Sequence, residues 1–152
     1  NLYRLGLKAN LVKADATEWL GGTFDMVLLD APCTATGTLR RHPDGAVSKK
    51  PADVATMAAL QRKLIDQAIR MLRPGGLLVY ATCSLEPEEG EAQIARFLAA
   101  RADFAVMPPV PGELPDGIAA HPDGHIRTLP GTVEAKGGCD GFFVARLRRA
   151  SA

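Results

Sequence analysis

Cysteine is scarce in this sequence: three residues in 152, an odd number, with no C-x-x-C pair among them. That argues against a disulfide framework and against a redox motif of the usual spacing. Also missing are a secretory apolar segment and any apolar run near the ~18 residues that a spanning helix needs. Together these absences point to a cytoplasmic protein with reduced thiols and no membrane partner. An excess of charge of one sign is absent too: the formal net charge is +1 and the isoelectric point about 7.9. The overall balance therefore names no partner, whereas a nucleic-acid binder usually shows a basic excess or a basic face. Three local clusters remain, at Arg40–His42, Lys49–Lys50 and Arg146–Arg149, and each taken alone reads as solvated surface. No metal is expected. His121 and His125 sit in HPDGH, where Pro and Gly preclude a shared helical face, and the other donors show no zinc spacing.

What is present is ordinary globular composition, 47% hydrophobic and 23% charged. It amounts to one domain, residues 1–152, with enough chain for a single core. No internal repeat and no second domain are visible. NLVKADAT (Asn10–Thr17) reads as a short strand ending in an acid. FDMVLLD (Phe24–Asp30) is near-continuously apolar, the pattern of a strand buried on both faces. A long loop rich in Thr, Gly, Pro and charge follows. From about Val54 to Leu72, apolar residues recur at three- and four-residue spacing, one amphipathic helical stripe that RPGG (Arg73–Gly76) stops. GLLVYATC is a second buried strand, and EPEEGEAQIARFLAAR reads as a helix with acids in its first turn. DFAVMPP is a further strand, Pro108–Gly138 a long loop, and GFFVARLRR a last strand, antiparallel and half exposed. The alternation of strand and helix predicts an α/β fold with a mostly parallel sheet.

In open α/β sheets, ligands bind outside the carboxyl ends of the strands. Asp15, the Asp30–Cys33 segment and Cys83 all fall at such ends. A lone cysteine is usually a small hydrophobe, and Cys139, between a glycine and an acid in a late loop, is read so. Cys33 and Cys83 differ because each follows a buried strand and opens a turn. Backbone N–H groups at the start of a helix favour a thiolate at Cys83, while Glu86, Glu88 and Glu89 oppose it. Three chemistries fit: a redox pair, a Cys hydrolase with His42 as its only candidate base, and nucleophilic addition to an electron-poor ring beside Asp30. Only the last uses every residue that converges.

The segments DAPCTATGTLRRHPD and YATCSLEPEEGE resemble the signature motifs of the RNA (cytosine-5)-methyltransferases of the Sun/Fmu type, among them the bacterial enzymes that modify 16S ribosomal RNA. The resemblance runs over essentially the whole chain, from NLYRLGL to GCDGFFVARL. It implies the C-terminal portion, strands 3/4 to 7, of a Rossmann-like class I S-adenosylmethionine-dependent methyltransferase fold with an antiparallel last strand. By this resemblance Cys83 is the nucleophile that attacks C6 of cytosine, and Cys33 helps to resolve the covalent adduct. Asp30 would lie at the junction of cofactor and base, and Pro32 would aim it and offer a carbonyl to the cytosine amino group. Asp15 would lie near the adenine, with a turn-capping role as the competing reading. Arg40, Arg41 and His42 match a phosphate-contacting loop, and Asp140 and Phe142 lie in the motif near the target base. The implied cofactor is S-adenosylmethionine and the implied partner is RNA, 16S rRNA for the bacterial enzymes of this type.

The sequence departs from this family at its front. No Gly-x-Gly loop follows a strand, and an N-terminal RNA-binding domain is missing. Strands one and two of the family order 3-2-1-4-5-7-6 should stand between LVKAD and FDMVLLD. The expectation is a C-terminal fragment with an open sheet edge, able to self-associate there. The competing expectation is a non-catalytic Rossmann-like RNA-binding or assembly module.

Overall fold

A computed structural model describes residues 1–151, the side chain of Ser48 excepted. Strand β1 (Phe24–Asp30) pairs in parallel with β2 (Leu72–Thr82), and the helix α2 (Pro51–Arg70) makes the crossover between them. A four-residue helix α1 (Gly45–Ser48) interrupts the loop before α2. Pro51 suits the first turn of α2, where an N–H has no partner, and the Asp53 carboxylate accepts the Lys50 N–H at 2.8 Å. The predicted stripe is what buries Leu64, Ile65 and Ala68.

RPGG does not end the helix, which stops at Arg70 with Met71 as its cap. The four residues instead bulge from the start of β2. Leu72 lies opposite Phe24, and pairing resumes only with Leu77 opposite Met26. Gly75, at φ 73° in the left-handed region that favours glycine, allows the bulge.

Helix α3 (Glu91–Ala100) follows β2 after a 3₁₀ turn at Pro87–Glu89, and leads to β3 (Phe104–Val106). The long loop beyond carries β4 (Ile126–Thr128), and the chain closes with β5 (Phe142–Arg149). The sheet order is β1-β2-β5-β3, with β5 antiparallel to its neighbours. This is the 4-5-7-6 part of the expected family order. β4 pairs with β5 on its outer side as well, so β3 and β4 lie end to end along one edge.

The core lies between one face of the sheet and the helices α2 and α3. Leu78, Tyr80, Phe143, Ala145 and Leu147 meet Ile65, Ala68, Ile69, Ile94 and Phe97 there. Each large side chain so buried contributes about 1.5–3 kcal/mol. Tyr80 meets Phe143 edge-on, with ring centroids 6.3 Å apart.

Two further expectations fail, each for its own reason. Asn10–Thr17 forms no strand, because no neighbouring strand takes its backbone groups. β1 is not buried on both faces: Met26 is 59% and Leu28 67% exposed, because the helices cover only the other side.

Candidate active site

The two cysteine segments are joined backbone to backbone at the C-terminal ends of β1 and β2. The Ala31 N–H donates to the Ala81 carbonyl at 2.9 Å, and the Gly37 N–H to the Cys83 carbonyl at 3.0 Å. The Leu85 N–H donates to Thr36 Oγ1 at 2.9 Å. β5 starts at this same end because it runs antiparallel, and the Gly141 N–H reaches the Gly37 carbonyl at 2.8 Å. The approach needs glycine at position 37, where an added side chain would meet backbone, and at position 141 an added side chain would first displace Leu85. A Cβ on Gly37 would lie 2.1 Å from the Gly141 oxygen, and one on Gly141 would lie 2.4 Å from Leu85 Cδ2.

This assembly puts Cys33 Sγ 3.4 Å from Cys83 Sγ. Both thiols are free and half-buried. Burial, the largest cause, pushes the Cys33 thiol up from 9.0 to about 12. Cys33 therefore keeps its proton near neutrality, and either sulfur can donate across the contact. Asp30, opposite Ala81 in the register, stands exposed at the end of β1.

Behind the thiols lies a group the sequence reading missed. The Glu89 side chain is fully buried. Its carboxyl oxygens accept from the Thr34 N–H at 3.0 and 3.3 Å, from the Ser84 hydroxyl at 2.5 Å and from Gln61 Nε2 at 2.9 Å. The Thr34 hydroxyl donates as well. Gln61 Nε2 also donates to the Pro32 carbonyl at 2.9 Å, so one lone pair of the carbonyl expected to meet cytosine already has a protein donor.

The expected RNA-contacting residues gather on one rim. Arg41 Nε donates to Asp140 Oδ2 at 2.6 Å, a second Arg41 nitrogen pairs with the same oxygen, and Arg40 lies 3.7 Å from Oδ1. Hydrogen bonding from Arg41 holds the Asp140 carboxyl below its ordinary range. Asp140 Oδ1 is buried without a hydrogen-bond partner among the described residues. His42 is exposed beside them. Of the two adjacent aromatics, Phe142 is 37% exposed and Phe143 fully buried, so Phe142 alone can meet a ligand. A cleft of about 520 Å³ adjoins the site, and Thr34, Thr36, Lys49, Lys50 and Glu86 are among its lining residues. The lysine pair thus belongs to the site's surroundings, which its sequence context did not signal.

Asp15 is not brought to this end by a strand. It caps an exposed turn, where its Oδ1 accepts the Thr17 N–H at 2.8 Å and the Thr17 hydroxyl at 2.7 Å. Cys139 donates to the Leu129 carbonyl at 3.5 Å, apart from the thiol pair. HPDGH forms a tight turn, closed by the His121 N–H on the His125 carbonyl at 2.7 Å. The turn stacks the two imidazoles with centroids 4.3 Å apart, a juxtaposition that reasoning about helical faces could not foresee.

A half-sheet of order 4-5-7-6 with a ligand end marked by an acid and two thiols defines the C-terminal part of a Rossmann-like methyltransferase fold. Solved structures agree. NSun6 from Pyrococcus horikoshii, determined with SFG, shares 32% identity and a TM-score of 0.77, over 99% of this chain and 37% of that one. A methyltransferase homolog protein from the same organism gives 31% and 0.72, over 97% and 47%. The family model for 16S rRNA methyltransferase RsmB/F matches residues 1–148, and the chain belongs to that family. Ribosomal RNA small subunit methyltransferase B of Shewanella oneidensis is 42% identical over 99% of this chain and 34% of its own length. The protein of the same name from Pseudomonas syringae pv. tomato is 43% identical over 100% and 34%. The chain thus spans about a third of the length of these curated relatives.

Proposed function

We propose that this chain is the C-terminal part of the catalytic domain of an S-adenosylmethionine-dependent rRNA cytosine-C5 methyltransferase, acting in the cytoplasm on 16S rRNA. The observation that carries the reading is the contact of Cys33 and Cys83 at 3.4 Å, at the strand ends where such folds bind ligands.

The target base must leave its stack to reach both sulfurs. Cys83 Sγ, as thiolate, adds to C6 of the cytosine, and the C5–C6 electron pair moves onto C5. Asp30 supports this step if its carboxyl holds a proton at N3 as the ring gains electrons. Bound S-adenosylmethionine supplies the electrophilic methyl that C5 takes. A solvent water takes the C5 proton, which re-forms C5=C6 and breaks the C6–S bond, returning the electron pair to Cys83. Cys33, protonated and in contact, hydrogen-bonds the sulfur as it departs. Arg40, Arg41 and His42 are placed for phosphate, with Asp140 orienting the arginines, and Phe142 for the base.

The residues present fit only one end of the cofactor. Asp30, exposed at the end of β1, suits the methionine portion, while Asp15 has one oxygen committed to its own turn. Among the described residues no glycine-rich loop follows a strand, so the adenosine end must be held by further chain. The deciding experiment sets the thiols in the longer enzyme that this reading requires. Cys33→Ala should accumulate a covalent RNA adduct on denaturing gels, and Cys83→Ala should form none. Equal adducts from both variants would sink the assignment.

The partial cofactor site favours a second reading, an inert Rossmann-like RNA-binding or assembly module. Calorimetric titration of the 152-residue chain with S-adenosylmethionine separates the two. The catalytic reading expects binding far weaker than the micromolar ~−8 kcal/mol of a complete site, regained when the rest of the domain is present. The module reading expects no binding in either form.

A further inference from the structure

The chemistry above gives Glu89 no part, yet its carboxyl is fully buried and takes its hydrogen bonds from residues beside both thiols. Thr34, which donates through its N–H and its hydroxyl, directly follows Cys33. Ser84, which donates through its hydroxyl at 2.5 Å, directly follows Cys83. Gln61 donates to Glu89 and, through the same nitrogen, to the carbonyl of Pro32, which directly precedes Cys33. Glu89 is itself anchored, since its backbone carbonyl accepts the Tyr80 hydroxyl at 2.7 Å from inside β2. A buried carboxyl is retained only where donors offset its lost hydration. A merely structural acid could draw those donors from its own turn or helix. Here every side-chain donor comes from the two cysteine loops or from α2, which backs them.

We propose that Glu89 is a positioning residue that sets the separation of the two thiols by gripping the residue after each. Its use in catalysis rests on the methyltransferase reading, but its geometry does not. Without the grip the backbone links between the loops remain, and the sulfurs are free to part.

The test uses this chain with Cys139→Ser, leaving two thiols. Diamide takes one hydrogen from each thiol, forms a single Cys33–Cys83 S–S bond and is itself reduced to the hydrazine. The crosslinking rate therefore reports how often the sulfurs touch. Glu89→Gln replaces one acceptor oxygen with an NH₂ that faces other donors. It should slow crosslinking at least about tenfold, since a misplacement on the order of 1 Å costs up to ~10²-fold in such proximity-limited steps. Alkylation of each thiol by iodoacetamide should stay within about twofold of the parent, given that contact is what changes. Crosslinking at the parental rate would overturn the proposal, and so would an equal fall in crosslinking and alkylation, the mark of general loosening. If Glu89→Gln does not fold, Thr34→Val with Ser84→Ala removes two hydroxyl donors and keeps the acid. The same two rates then decide. Neither RNA nor cofactor is needed, so this result is independent of the trapped adduct that tests the methyltransferase reading.

Discussion

Burial sets the Cys33 thiol apart from an ordinary cysteine. With its thiol pushed up to about 12, Cys33 stays neutral in the fold at pH values where an unfolded chain would ionise it. A folded value above the unfolded one means that this contribution to stability is complete below the ordinary 9.0 and is lost as pH rises toward about 12. Peptide-resolved alkylation of Cys33 checks this. Its rate should keep climbing through pH 9 toward the alkaline end of the range, with no plateau near the ordinary 9.0. A plateau there would contradict the assignment. At this scale the sequence was readable where a residue type and a strand end coincide, which is why DAPC and TCS stood out. Glu89 was not readable, because in PEEGE it looks like one more solvated acid in a helix's first turn. Only the fold turns it inward, and no periodicity distinguishes it from the exposed Glu88 next to it.

Elements were legible where periodicity is long and illegible where a partner decides. The stripe of α2 and the apolar runs of β1 and β2 specify themselves, and β5 shows its half-exposed alternation in the residues alone. The strand expected at Asn10–Thr17 failed because a strand is a relation between two segments. RPGG was misread because its proline and glycines serve a bulge as well as they serve a helix stop. β4 was invisible inside a long loop, being held by side chains rather than by pattern. Arg127 makes a bidentate pair with Glu91 at 3.0 and 2.6 Å and donates to the Ser84 carbonyl at 2.5 Å. Its guanidinium also sits 5.0 Å over the Phe143 ring. This one side chain fastens β4 to the turn that carries Cys83. Arg127→Met should leave the core folded but expose the amides of Ile126–Thr128 to hydrogen exchange, with protection reduced on the order of tenfold for a loss near 1.4 kcal/mol. Unchanged protection there would show that backbone pairing alone holds β4.

The molecule as a whole is covered on one side. Helices α2 and α3 seal one face of the sheet, while Met26 and Leu28 of β1, and Leu5, Leu7, Leu11 and Val12 of the N-terminal segment, are each more than half exposed. Apolar exposure of that extent marks an interaction surface or an aggregation liability, and β1 is also a free strand edge. We expect the chain by itself to bind a hydrophobic dye and to elute earlier from a sizing column as its concentration rises. Met26→Lys with Leu28→Glu should weaken both behaviours and leave the thiol contact intact. A concentration-independent monomer in the parent would remove the argument for self-association. The topology also imposes an order in time. The thiols lie fifty residues apart, whereas the Arg41–Asp140 pair closes ninety-nine. A chain growing from the ribosome therefore releases both sulfurs well before the strand that completes their surroundings. Until β5 is inserted between β2 and β3, the two cysteine loops lack the Gly141–Gly37 link and the Arg41–Asp140 pair that complete their surroundings.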